Sequence, residues 1–134
     1  MNTDPFLGTW QLNLAKSKDS PGPLPKSQTN NIQAAGQGLK FTITGVNAAE
    51  NPINITLTSV FDGMPHPESN PYFDARAVAR VDAYTLISSV TKAGKLVGTV
   101  SFVVSPDGKT ATATSILLDA NGRHINEIHV YDKE

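Results

Sequence analysis

The chain has 134 residues, one domain's worth, enough to enclose one core or one ligand-sized cavity and no second folded unit. Eleven basic and twelve acidic residues leave a net charge of −1 and lie scattered in ones and twos, with no stripe to neutralise a run of phosphates, so nucleic acid is not an expected partner. The absence of cysteine excludes disulfides, thiolate metal sites and a cysteine nucleophile, and apolar runs such as Phe102–Val104 and Ile116–Leu118 fall far short of the roughly 20 residues of a membrane-spanning helix.

At the start, Met1–Pro5 has neither a basic stretch nor an apolar one, so no secretion signal is expected. A cleaved leader replaced by an initiating Met reads the same, which leaves the compartment open between the cytoplasm and the periplasm or exterior. From there the dominant period is two. Lys40–Thr44, Ile53–Thr58 and Thr110–Thr114 each alternate and are rich in the Thr, Val and Ile that suit a pleated, half-buried surface. About nine strands are predicted, over 7–14, 27–35, 39–46, 53–61, 73–82, 84–91, 95–105, 109–118 and 123–132. Turn chemistry separates them at Gly36-Gln37-Gly38, Asn51-Pro52, Asp62-Gly63, Ala93-Gly94, Pro106-Asp107-Gly108 and Asn121-Gly122. No segment carries a helical apolar stripe. Two proline-rich stretches, 15–27 and 62–72, interrupt the rhythm and are expected as extended loops without ladder hydrogen bonds. The expected fold is therefore all-β, a single antiparallel up-and-down barrel of about eight to ten strands spanning 1–134, since closure removes exposed edges.

Phe6-Leu7-Gly8-Thr9-Trp10-Gln11-Leu12 contains a Gly-X-Trp in the first strand. With Asn13–Lys18, Asp62-Gly63, Tyr84-Thr85, Gly94-Lys95, Val104–Thr110 and Val130-Tyr131, it resembles the calycin group of lipocalins and fatty-acid-binding proteins, and more narrowly a set of small, mostly uncharacterised bacterial lipocalin-like proteins. The resemblance implies a barrel closed at one end by Trp10, a cation from a late strand packed on the indole, and a small apolar ligand inside. Arg123 is the first candidate for that cation. The sequence departs from the bacterial pattern at Arg76 and Ser88, where aliphatic residues are usual, and at Phe102, where a polar or basic one is.

If Gly8 and Trp10 mark the closed end, strand parity places loops 36–38, 62–72, 92–94 and 119–122 there, with His66, Glu68 and Tyr72. Loops 15–27, 47–52, 82–84 and 105–108 then surround the mouth, with 15–27 as the lid candidate. Nine strands do not close an antiparallel ring, so one element must lie outside it or leave a gap.

Several motifs take plain readings. His124 and His129 fall on opposite strand faces and cannot share a metal, so no metal site is expected; no sequence feature asks for a cofactor. Gly108-Lys109-Thr110 lacks the rest of a phosphate loop and reads as a hairpin turn. Asn54-Ile55-Thr56 is a sequon inside a strand.

Two alternating sets carry the chemistry. In the last strand the simpler reading buries Ile128 and Val130 and leaves Glu127, His129 and Tyr131 outside; the alternative puts His129 beside a carboxylate in the cavity. In 73–82 hydrophobicity turns the alanines inward, whereas the family register turns Arg76 inward, which we favour. The expected function is binding of a small apolar or amphipathic molecule among Phe41, Ile43, Ile55, Leu57 and Phe102, with Arg76 at its polar end. The alternative is a cofactor-independent lyase, isomerase or cyclase in which Arg76 stabilises an oxyanion and His129 moves a proton. Oligomeric state has no signature here.

Overall fold

A computed structural model describes residues 4–68 and 72–134; Met1–Thr3 of the expected leaderless start, and 69–71 of the expected second loop, lie outside the described residues. The strands are β1 (Gly8–Leu12), β2 (Lys18–Ser20), β3 (Ser27–Ala35), β4 (Gly38–Val46), β5 (Pro52–Ser59), β6 (His66–Pro67), β7 (Ala75–Asp82), β8 (Thr85–Lys92), β9 (Lys95–Val104), β10 (Thr110–Leu118) and β11 (His124–Lys133). All pairs are antiparallel, in the spatial order β5-β4-β3-β1-β11-β10-β9-β8-β7-β6, with β2 also on β11. The sheet thus joins first strand to last, and among the described residues no pairing links β5 to β6.

Both proline-rich stretches contribute ladder pairs, contrary to expectation. In the first, Lys18, Asp19 and Ser20 precede the prolines, so their N–H groups are free to pair, and Lys18 faces Ile128 across β11. Asn13 N–H donates to Val130 O at 2.7 Å, and after the one-turn 3-10 helix Leu14–Lys16 the Ser17 Oγ accepts from Val130 N–H at 2.9 Å. A side chain thereby fills the gap in the ladder, and β1 and β2 form one interrupted strand along β11. In the second, His66 faces Arg76, Gly63 N–H donates to Val78 O and Glu68 N–H to Asp74 O. Prolines are tolerated there because the segment is the last in the sheet.

This extra run along β7 makes ten passes instead of nine and reverses the parity of everything after it. The Gly8 end therefore carries 36–37, 60–61, 83–84 and 105–109. The opposite end carries 21–26, 47–51, 93–94 and 119–123. Loops 92–94 and 119–122 were expected at the Gly8 end, and 82–84 and 105–108 at the other; these four exchange places.

The Gly8 end is closed. Phe6 and Trp10 are fully buried there with Ile32, Leu39, Leu86 and Val104, and Trp10 Nε1 donates to Phe6 O at 3.0 Å. Lys133, not Arg123, lies over the indole, 5.3 Å from the ring centre; Arg123 instead pairs with Asp119 across its own turn. Register explains the choice: Lys133 sits opposite Trp10 in the β1–β11 pair, while Arg123 lies at the far end of β11. Gly8 has φ +130°, and a Cβ there would meet Lys133 Cε at 2.8 Å, so the glycine of the Gly-X-Trp lets the lysine reach the ring. A second cluster, Phe73, Val90, Leu117 and Ile125, fills part of the opposite end.

Candidate ligand cavity

Alternation along the strands decides what faces inward. Arg76 and Val78 point to the interior from β7, with Leu86 and Ser88 beside them on β8. Phe73 is buried as well, because it precedes the strand and its chain bends at exposed Asp74 before the alternation begins. On β11 the simpler reading fails: Ile128 is 43 % exposed, Tyr131 is 3 % exposed, and His129 lines the cavity. The cause is β2, whose Asp19 supplies His129 with a partner inside and removes the cost of burying the imidazole.

Between the two apolar clusters lies a cavity of about 180 Å³, walled by Phe41, Ile43, Leu57, Phe102 and Ala113. Phe102 packs edge-on against Phe41 and Tyr131 and stacks on Phe6. Where the sheet is open, a cleft of about 510 Å³ runs between β5 and β6, and it shares Leu57, Ser59, Arg76 and Val78 with the cavity. Ile55, expected on the cavity wall, is 46 % exposed and lines the cleft alone. His66 and Glu68 line the cleft too rather than the closed end, because the extra pass carries them along β7.

The polar groups of the cavity are mostly satisfied by one another. Glu68 grips Arg76 with two parallel hydrogen bonds, Nε to Oε1 at 2.9 Å and Nη2 to Oε2 at 3.0 Å, while Nη1 donates to Ser88 Oγ at 3.4 Å. The Arg76 guanidinium also stands 5.2 Å from the Phe73 ring centre. Gln28 Nε2 donates to Tyr131 Oη at 2.6 Å; burial pushes the phenol up to about 12 despite that bond. Asn30 is the exception. Its residue is 5 % exposed, it lines the cavity, and its Oδ1 is the one buried side-chain polar atom without a partner among the described residues.

Beside the cavity, Asp19, Glu127 and His129 each offer an atom within 4.8 Å of the others, with Asp19 Oδ1 2.6 Å from His129 Nε2. Burial, and secondarily the Asp19 charge, hold the Glu127 carboxyl above its usual value. His124 is exposed on the opposite face and takes no part. Sequence reasoning missed Asp19, Asn30 and Glu68. Asp19 lies 110 residues from its imidazole partner, and Asn30 sits in the polar run Gln28–Asn31, where alternation gives no face a hydrophobic signature.

No protein-family model matches the chain, and no curated protein matches it in sequence. Solved structures do match in shape. The wild-type fluorescent protein UnaG superposes with a TM-score of 0.60 at 14 % identity, covering 96 % of this chain and 97 % of that one. Zebrafish ileal bile acid-binding protein complexed with cholic acid gives 0.59 at 12 %, covering 97 % and 99 %. The extracellular fatty acid binding protein As-p18 gives 0.58 at 12 %, covering 98 % and 97 %. The fold is the calycin-type β-barrel. In calycin terms, this barrel is closed at the Trp10 end and parted along one side. Among the described residues no helix is long and apolar enough to cross a membrane.

Proposed function

We propose that this barrel, acting as a single domain, binds a small apolar or amphipathic molecule in the cavity, with entry through the cleft between β5 and β6. The observation that carries the reading is the continuity of an apolar interior with that cleft, at Leu57 and Val78. Alone the interior is smaller than a typical ligand pocket; the cleft brings the whole into the usual range of roughly 300–1,000 Å³. The zebrafish neighbour is named for binding bile acid and As-p18 for binding fatty acid, which supports a carrier of a similarly sized apolar molecule. The ordered motifs around Gly8-Thr9-Trp10 support placement with the small bacterial lipocalin-like proteins.

No observation favours the lyase, isomerase or cyclase alternative. Arg76, its oxyanion-stabilising group, has its fork occupied by Glu68 and Ser88.

Binding is tested with the neutral fluorophore N-phenyl-1-naphthylamine, whose emission rises on transfer to an apolar site. We expect saturable binding by the native protein. Leu57→Trp, which fills the junction of cavity and cleft, should weaken it at least about tenfold while the far-ultraviolet β spectrum is kept. Non-saturable emission, or full binding in the folded Trp variant, overturns the proposal.

A further inference from the structure

Among the described residues, each acid or base on the wall of the cavity or the cleft already has its opposite beside it. Arg76 is matched by Glu68 with two parallel bonds of 2.9 and 3.0 Å. His129 Nε2 lies 2.6 Å from Asp19 Oδ1, and His66 Nε2 lies 2.9 Å from Asp62 Oδ2. The Tyr131 phenol, pushed up to about 12, is neutral. The rest of the polar wall is Gln28, Asn30, Ser59 and Ser88, and none of these carries a charge.

The Glu68–Arg76 pair matters most, because it stands where cavity and cleft meet: Arg76 lines both spaces and Glu68 lines the cleft. Its side chains are 13 % and 20 % exposed, so the pair sits in a poorly solvated place where a bidentate contact keeps its strength. A ligand carboxylate arriving there meets a guanidinium whose charge is already cancelled, and it brings a second negative charge beside Glu68. A ligand ammonium meets a carboxylate already engaged. Either ion would leave water without an unmatched partner, which is costly. A neutral molecule gives up only the hydration of its apolar surface. Ser88 Oγ accepts from Arg76 Nη1 and keeps its own O–H to donate, which suits a hydroxyl or carbonyl oxygen on such a molecule.

We propose, resting on the binding function above, that the occupant is an uncharged apolar molecule carrying at most a hydroxyl or carbonyl group, and that Glu68 sets this choice by cancelling the charge of Arg76. Glu68 is a specificity residue: without it the same cavity would hold a cation at its mouth and favour carboxylate amphiphiles.

The test displaces N-phenyl-1-naphthylamine with four ligands built on one ten-carbon tail, decanol, methyl decanoate, decanoate and decylammonium, at pH 7 and below their aggregation limits. Decanol and methyl decanoate are expected to displace the fluorophore at concentrations at least about tenfold lower than either ion. Any greasy cavity shares part of that preference, so the decisive readout is Glu68→Gln. Freeing Arg76 in this way should raise decanoate affinity at least about fivefold and leave decanol within about threefold. The double variant Glu68→Gln with Arg76→Gln, which removes both charges, should return decanoate to within about threefold of its native affinity. Decanoate or decylammonium binding the native protein as tightly as decanol overturns the neutral assignment while leaving the binding function standing. Decanoate affinity unchanged in folded Glu68→Gln, or raised equally in the double variant, removes Glu68 as the cause. If the fluorophore binds and none of the four displaces it, the assignment falls as well. If the fluorophore itself does not bind, both proposals fall together.

Discussion

A Cβ at Gly8 would lie only 2.8 Å from Lys133 Cε, so the missing side chain leaves the room in which a cation rests on Trp10. Because Lys133 is exposed, its contact with the indole belongs at the low end of cation–π energies, about 0.5–1 kcal/mol. Lys133→Met is therefore expected to lower unfolding free energy by about that amount in urea titrations. Arg123→Met, at a solvated turn 77 % exposed, should change it by no more than a few tenths of a kcal/mol. Equal losses from both variants would remove the indole contact as the cause. Both cations are visible in the sequence, but their roles are not. The choice between them depends on the register of β1 against β11, which pairs residues more than a hundred positions apart.

At the level of strands, the regular elements were legible and the irregular ones were not. β4, β8, β9 and β10 alternate in Thr, Val and Ile between turns with recognisable backbone chemistry, so their sequence alone places them within a few residues. β2 and β6 are short, polar and flanked by proline, and their pairing is dictated by the strand beside them rather than by their own composition. The segment before β1 is held in another non-local way. Asp4 clasps Arg80, whose guanidinium lies 5.0 Å from the Phe6 ring centre, tying the closing phenylalanine to β7. The hydrogen-bonded Arg80 holds the Asp4 carboxyl below its ordinary value, so its contribution is complete above the unfolded value, near pH 4, and is lost as pH falls through the lower folded value. Asp4→Asn should cost about 1 kcal/mol at pH 7, after discounting for partial exposure, and should flatten the loss of stability below pH 4. Glu127 has the opposite sign: its raised value favours the folded state most in acid, and the benefit disappears as pH rises from the ordinary glutamate value through the folded one. A stability profile of Asp4→Asn that stays parallel to the native one down to pH 2 would remove the clasp from the account.

For the molecule as a whole, the parting of the sheet that would admit a ligand also leaves two rows of backbone groups without a neighbouring strand among the described residues. On one side β6 is guarded by Pro65 and Pro67, which cannot offer a complete row of N–H donors. β5 has no such guard. From Ile53 to Ser59 it carries no charge and no proline, alternates apolar with polar, and is the terminal strand of its side of the sheet. Such a strand is a template for another copy of itself. The opening therefore sets a ceiling on concentration: as the protein is concentrated, molecules should join through β5 into oligomers and, on prolonged agitation, into fibrils that bind thioflavin T. Thr56→Lys, at an exposed position in the middle of the strand, should delay fibril growth several-fold at unchanged melting temperature, and an occupant lodged in the cleft should slow it in the native protein by covering the same row.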